Sequence, residues 1–263
     1  MKKFVLFILI ALLAPQLWCQ DDSMSSSRQQ QKEDRNFRIP LIGEAAPSFT
    51  AESTNGTINF PDDFGHKWKI LFSHPQDFTP VCTTEILELA GMQDEFDKLG
   101  VKLVVVSTDQ LDSHKEWKKS MESLTLSQKG NVKINFPLVD DDKREISKMY
   151  GMIHPASNTT KDVRGVFIID PDNIVQAIYF YPKKVGRNTD ELIRLVTALK
   201  TTSSGDVLTP VNWKAGNDLL IPVPPKSDVY GKPEVPAGYY SPVWYLWFKK
   251  VGQSTDNLFE SGN

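Results

Sequence analysis

The 263-residue sequence holds only two cysteines, Cys19 and Cys82. Histidine is also sparse, at four, and His66, His114 and His154 have no ligand-like spacing with Cys82 or with one another, so no metal site is expected. Positive charge is in deficit: 30 basic residues stand against 33 acidic ones, for a formal charge of −3. That balance argues against nucleic acid as the natural partner. The apolar stretch 4–14 falls short of the roughly 20 residues that a spanning helix needs. It follows Lys2 and Lys3 and precedes Leu17-Trp18-Cys19 and the polar Gln20-Asp21-Asp22. Basic n-region, apolar h-region and cleavage site in this order read as a signal peptide over residues 1–19, with a mature chain beginning near Gln20. The expected destination is secreted: extracellular, in a secretory lumen, or periplasmic in a bacterium. Cleavage removes Lys2, Lys3 and Cys19, leaving a more acidic chain with a single thiol. Such a chain cannot form an internal disulfide, although its route leads to an oxidising compartment.

Residues 20–38 carry Ser25-Ser26-Ser27, Gln29-Gln30-Gln31 and mixed charges with almost nothing apolar. They bury too little to offset ordering entropy, which predicts a disordered polar tail. From Ile39 onward strand-like and helical segments alternate at 69–74, 83–99, 101–107, 113–121, 145–150, 166–169, 174–181 and 189–199. This alternation predicts an α/β fold built on a central sheet. Thr189, followed by Asp190 and Glu191, is expected to cap the last of these helices. Pro171-Asp172-Asn173 reads as a hairpin turn. After about Ser203, prolines at 210, 222, 224, 225, 233, 236 and 242 and the loss of helical period predict an extended appendage. Its aromatic run Trp244-Tyr245-Leu246-Trp247-Phe248 is too short to span a bilayer and is expected to be a buried plug or a dimer contact rather than a membrane-surface contact. Asn55-Gly56-Thr57 and Asn158-Thr159-Thr160 fit the N-glycosylation acceptor pattern, which matters only in a eukaryotic cell.

Cys82 follows an apolar run at 70–72 that reads as a buried strand, and opens a helical pattern with Ile86, Leu89, Ala90, Phe96 and Leu99 on one face. It therefore belongs in a helix's first turn. Unpaired backbone N–H groups and the positive end of the helix dipole favour an anion there. Thiolate is the nucleophilic form of cysteine, so the placement predicts chemistry at this sulfur.

Pro75, Thr79 and Cys82 form a Pro-x-x-x-Thr-x-x-Cys run that resembles the active-site signature of the peroxiredoxins. The longer run Ser73-His74-Pro75-Gln76-Asp77-Phe78-Thr79-Pro80-Val81-Cys82-Thr83-Thr84-Glu85 is similar to the one-cysteine, peroxiredoxin-6 type. The resemblance continues through Asp140-Asp141, Arg164-Gly165-Val166-Phe167, Tyr181-Pro182 and Gly186-Arg187-Asn188 to Thr209-Pro210-Val211-Asn212-Trp213-Lys214, covering about residues 39–240. It implies a thioredoxin-like peroxidase domain over 39–203 with a central mixed sheet flanked by helices, and an extended C-terminal one-cysteine domain over 204–263 that contributes to a homodimer. It also implies a thiol peroxidase acting on hydrogen peroxide or organic hydroperoxides. No prosthetic group is needed, and an external thiol such as glutathione or a protein thiol resolves the sulfenic acid.

Three residues can supply that chemistry. Cys82 would attack a peroxide oxygen and become a sulfenic acid. Thr79, one turn earlier, would place a hydroxyl beside it. Arg164 matches the family's distant active-site arginine, whose guanidinium would stabilise the thiolate and the developing oxyanion. Pro75 would shield the sulfur from water, or simply end the strand. His74 serves either to tune the protons of the site or as a structural residue. Glu85 stands in the helix's first turn as a dipole partner or as a catalytic carboxylate. Arg187 is expected to support the pocket through hydrogen bonds. The lipase-like Gly-x-Ser-x-Gly element of some one-cysteine relatives reads Gly65-His66-Lys67-Trp68-Lys69 here, without its serine, so phospholipase activity is not expected. A secreted non-enzymatic role, as chaperone or receptor ligand, is the remaining alternative.

Overall fold

A computed structural model of the protein describes residues 38–124, 131–157, 160–222, 235 and 237–252. The signal segment, nearly all of the polar tail and Asn158 lie outside the described residues. Five strands make the central sheet: β3 (Trp68–Ser73), β4 (Val101–Ser107), β5 (Leu138–Asp140), β6 (Arg164–Ile169) and β7 (Val175–Tyr181), in the order β5-β4-β3-β6-β7. β3, β4 and β5 run parallel, whereas β6 joins β3 and β7 joins β6 antiparallel, so the sheet is mixed.

Ile70, Leu71 and Phe72 are all fully buried, as expected of a strand covered on both faces. Because strand side chains alternate, Ile70 and Phe72 enter one core with Val105, Val166 and Ile168, while Leu71 enters the other with Val104, Val106 and Phe167. The first core is covered by α1 (Pro80–Gly91), α2 (Gln93–Lys98), α3 (Leu111–Glu122) and α5 (Thr189–Thr202). The second is covered by α4 (Glu145–Met149) and by the hairpin of β1 (Phe49–Ala51) and β2 (Ile58–Phe60). Each fully buried aliphatic side chain contributes about 1.5–3 kcal/mol. The two cores thus hold the sheet rigid, and Cys82 belongs to the first of them.

The helix expected at 83–99 is two helices. α1 begins earlier, at Pro80, and the chain breaks at Met92 (φ −104°, ψ 6°), whose N–H turns back to the Glu88 and Leu89 carbonyls. Leu89, Met92 and Phe96 remain buried across the break, so the apolar spacing does not reveal it. The cap of α5 is Asn188, not Thr189: its side chain accepts from the Glu191 N–H at 3.2 Å, and Thr189 is the first helical residue. Both residue types cap well, so composition alone does not choose between them. The turn at 171–173 does close the β6–β7 hairpin, with Asn173 in the left-handed region at φ 66°.

The appendage after α5 is more than extended chain. β8 (Leu219–Leu220), β9 (Tyr239–Val243) and β10 (Leu246–Lys249) form an antiparallel sheet in the order β8-β10-β9, and Trp213 and Leu219 pack with Ala198 of α5. Its aromatic run divides. Trp247 is 2% exposed and donates its indole N–H to the Trp244 carbonyl at 3.0 Å, whereas Trp244 and Tyr245 are 78% and 68% exposed at the hairpin turn. A wholly buried plug is therefore not what these residues build. Among the described residues no helix is long and apolar enough to cross a membrane.

Asp162, just before β6, is fully buried, and neither carboxyl oxygen has a hydrogen-bond partner. Burial pushes its carboxyl well above the usual 3.8. The nearby Ser147 hydroxyl, which donates to Asp141 Oδ2 at 2.5 Å, opposes this, and the Asp141 charge adds to the rise. The native state therefore holds this proton more tightly than the unfolded chain does. Stability from it is complete below pH 3.8 and is lost as the pH rises toward the native value. Asp162→Asn, neutral at every pH, should raise the melting temperature at pH 7, by roughly 2–4 °C per kcal/mol relieved, with the gain shrinking toward pH 4. Calorimetry across that range checks this, and a gain independent of pH would contradict it.

Candidate active site

Cys82 is the third residue of α1. Thr79 caps the helix in an extended conformation, and Pro80 follows at a position where its missing N–H costs nothing. The side chain of Cys82 is 0% exposed. Arg164, the first residue of β6, donates from Nη1 to the Cys82 sulfur at 3.3 Å and to Glu85 Oε2 at 2.7 Å. Its Nε and Nη2 hold the Lys183 carbonyl at 3.0 and 2.6 Å, which fixes the plane of the guanidinium.

Glu85 lies nearly one turn beyond Cys82 and is the hub of the site. Its Oε1 accepts from Arg187 N and Nε at 2.8 and 2.9 Å, and its Oε2 accepts from Arg187 Nη2 at 2.7 Å as well as from Arg164. Arg187 Nη1 donates to the carbonyls of Ser73 and Gly165, both at 2.8 Å, and its guanidinium carbon stands 3.2 Å from the centroid of the Phe72 ring. Burial lowers the Arg187 pKa to about 10, opposed by the Glu85 carboxylate. It stays cationic at neutral pH. Two buried guanidiniums therefore face one buried carboxylate, which leaves surplus positive charge beside the Cys82 sulfur. In this water-poor interior such fixed charges interact strongly. Removing one partner of a buried pair typically costs about 3–5 kcal/mol.

Gly165 lets β6 approach closely enough for Arg164 to reach. A Cβ there would stand 3.0 Å from Ser73 Oγ and 3.3 Å from Phe180 Cε1. In that tight space Gly165 N–H donates to Ser73 Oγ at 2.8 Å, and Ser73 Oγ donates to the Val163 carbonyl at 2.8 Å.

The structure thus brings Cys82, Glu85, Arg164 and Arg187 together. Pro75 is buried on the loop that leads to them. Thr79 is half-buried, and its hydroxyl donates to the Gln76 carbonyl at 2.8 Å, so it must turn to reach the sulfur or a peroxide. His74 is fully buried, and neither ring nitrogen has a hydrogen-bond partner. Burial pushes its pKa down to about 3, with Asp77 opposing, so the ring is neutral at physiological pH. Asn55 lies apart from the site, in an exposed turn, with its amide donating to the Asn135 carbonyl at 2.7 Å.

Two residues beside the site escaped the sequence reading. Asp77 and His114 meet His74 so closely that one potential ligand atom from each lies within 4.8 Å of the others. His114 Nδ1 stands 2.9 Å from Asp77 Oδ2, which is a hydrogen-bond length that a shared proton fills. His114 shares the buried face of α3 with Trp117 and Met121, and that spacing is the signal that could have turned it inward.

Residues 42–178 match the AhpC/TSA family, and residues 198–232 match the C-terminal domain of 1-Cys peroxiredoxin. A peroxiredoxin of Methanosarcina mazei is 45% identical over 82% of this chain and 100% of its own length. The 1-Cys peroxiredoxin A of Oryza sativa subsp. japonica is 42% identical over 80% of this chain and 98% of its own. A crystal structure of a cysteine-to-serine mutant of peroxiredoxin 6 of Arenicola marina superposes with a TM-score of 0.69 at 32% identity, covering 81% of this chain and 99% of that one. The chain belongs to the peroxiredoxin family. With the family comes its fold: the mixed sheet and its helices are thioredoxin-like. This peroxiredoxin is a thiol-dependent peroxidase.

Among the described residues, Arg164 is the side chain that hydrogen-bonds to both the sulfur and Glu85. Arg164→Gln should slow oxidation of Cys82 by about 10²–10³-fold, the loss seen when one oxyanion donor is removed. Arg164→Lys should recover only part of that rate, because an ammonium lacks the planar fork. Rapid mixing with peroxide, followed by trapping of the sulfenic acid, measures both variants. A wild-type rate for Arg164→Gln would contradict the assignment.

Proposed function

We propose that Cys82 is the peroxidatic residue and that an external thiol completes each turnover. The observation that carries this is the Arg164 Nη1 contact with the buried Cys82 sulfur at 3.3 Å, beside a carboxylate already shared by two arginines. The thiolate attacks one peroxide oxygen. A sulfur–oxygen bond forms, the O–O bond breaks, and the leaving oxygen departs as hydroxide or alkoxide and takes up a proton. Arg164 faces the place where that charge develops. The sulfenic acid then condenses with one thiol to give a mixed disulfide and water, and a second thiol displaces Cys82 to leave an oxidised pair.

Cys82 is the one cysteine among the described residues, so the resolving thiol comes from elsewhere. A yeast mitochondrial 1-Cys peroxiredoxin that shares 34% identity and a TM-score of 0.67 with this chain, covering 81% of it and 100% of its own, is described as resolved through glutathione/thioredoxin systems. Glutathione or a thioredoxin-type protein is the reductant this reading favours. The sulfur is fully buried, so a reductant of that size gains access only when the first turn of α1 opens. We further assign secretion from the leader-like segment at 1–19, a homodimer, and the exposed Asn55 as a glycan acceptor in a eukaryotic host.

Cys82→Ser should abolish peroxide turnover with either reductant while the protein remains folded, because a serine hydroxyl is not ionised at neutral pH. Coupled assays with glutathione and with a thioredoxin system, run beside circular dichroism, test this. Normal turnover by Cys82→Ser would refute the assignment. Mass spectrometry of native material should find an N-terminus near Gln20, and an intact leader on cytosolic protein would count against secretion. Phospholipid hydrolysis should stay at background, since Lys67 occupies the place of the lipase-like serine.

A further inference from the structure

The loop before α1 carries a backbone strain that the peroxide chemistry does not account for. Phe78 has φ 53°, in the left-handed region that a bulky side chain adopts only when its surroundings force it. Its ring is 57% exposed, so burial of the ring does not impose that conformation. The residue before it is fixed instead. The Asp77 N–H donates to Asp109 Oδ2 at 2.8 Å, and its carboxylate accepts from Ser113 Oγ at 2.7 Å. The same carboxylate faces His114 Nδ1 at 2.9 and 3.1 Å.

The opposite nitrogen, His114 Nε2, stands 3.1 Å from the Val139 carbonyl of β5. The ring is thus held from both sides, by the Asp77 carboxyl at Nδ1 and by the Val139 carbonyl at Nε2. Side chains 0% and 2% exposed place this pair beyond reach of solvent screening. A buried pair held on both sides can bear a load that a surface contact cannot.

We infer that the buried Asp77–His114 pair is the positioning device for Cys82. It ties the loop to α3 and β5, holds Phe78 in its left-handed turn, and so sets the start of α1 where Arg164 meets the sulfur. The link is short: directly after Phe78, Thr79 takes the extended cap conformation, and its carbonyl accepts the Thr83 N–H at 2.9 Å. Returning Phe78 to ordinary φ would swing that cap. A displacement of about 1 Å at a reacting atom can lower a rate by about 10²-fold. Asp77 and His114 act through the loop, and the inference rests on Cys82 being the peroxidatic residue.

The test follows Cys82 oxidation by hydrogen peroxide, with rapid mixing, in the reduced full-length protein. Asp77→Ala should be slower by about 10–100-fold. Asp77→Asn should stay within about threefold of wild type, because an amide can still hydrogen-bond to His114 Nδ1 from the same place. Asparagine enters the left-handed region with ease, so Asp77→Ala should cost much less in a Phe78→Asn background. If Asp77→Ala does not fold, His114→Gln is carried through the same two backgrounds. The inference is overturned if Asp77→Ala reacts at the wild-type rate, if Asp77→Asn is as slow as Asp77→Ala, or if the loss is equal in both Phe78 backgrounds. A wild type that fails to react with peroxide would instead overturn the peroxidatic assignment of Cys82, so the two failures are distinguishable.

Discussion

A carboxylate without water around it is costly, and Glu85 is almost completely buried. It is tolerated because two guanidiniums surround it, Arg164 at one oxygen and Arg187 at both. Those arginines belong to different parts of the chain, β6 and the segment leading into α5. One side chain on α1 thus fastens the thiol-bearing helix to the sheet and to the last helix of the domain. The charge balance of the site follows from the same constraint. Two cations held by one anion leave room for a second anion, and the sulfur of Cys82 lies in that place.

The anchoring of α1 is therefore double. Glu85 holds it from within, nearly a turn past the sulfur, and Asp77 holds the loop just before its cap. Between these points lie the strained Phe78 and Cys82. Neither anchor uses the exposed surface, where ion pairs are worth little. The close contact of β6 with β3 at Gly165 completes the arrangement, since it brings the Arg164 guanidinium across to the helix. The C-terminal sheet packs on α5 through Trp213 and Leu219, away from this charge network.

Much of this was legible in the sequence, for local reasons. The alternating apolar segments located four of the five central strands but not the three-residue β5, with 101–107 matching β4 residue for residue, because a strand buried on both faces leaves a continuous apolar run. Cys82 in the first turn of a helix followed from the apolar period that begins at Ile86. What escaped depends on contacts distant in sequence. The distance from Arg164 to Cys82 spans 82 positions, and only family resemblance suggested the pairing. Asp77 and His114 are 37 residues apart, and His114 read as an isolated histidine until α3 packed on the loop. The short strands β1, β2 and β8 are two or three residues long, too few to register a period. The break at Met92 left the apolar face intact, so the pattern carried no trace of it.

The central claim is that fixed charge around Cys82 makes a buried thiol a fast nucleophile toward peroxide. The most direct measurement is the second-order rate constant of the reduced wild-type protein with hydrogen peroxide, by rapid mixing at neutral pH, beside free cysteine under the same conditions. The account expects the protein to react more than about 10³-fold faster, the effect of one or two well-placed donors on a developing oxyanion. A rate constant equal to that of free cysteine, in protein whose Cys82 is fully reduced, would contradict it.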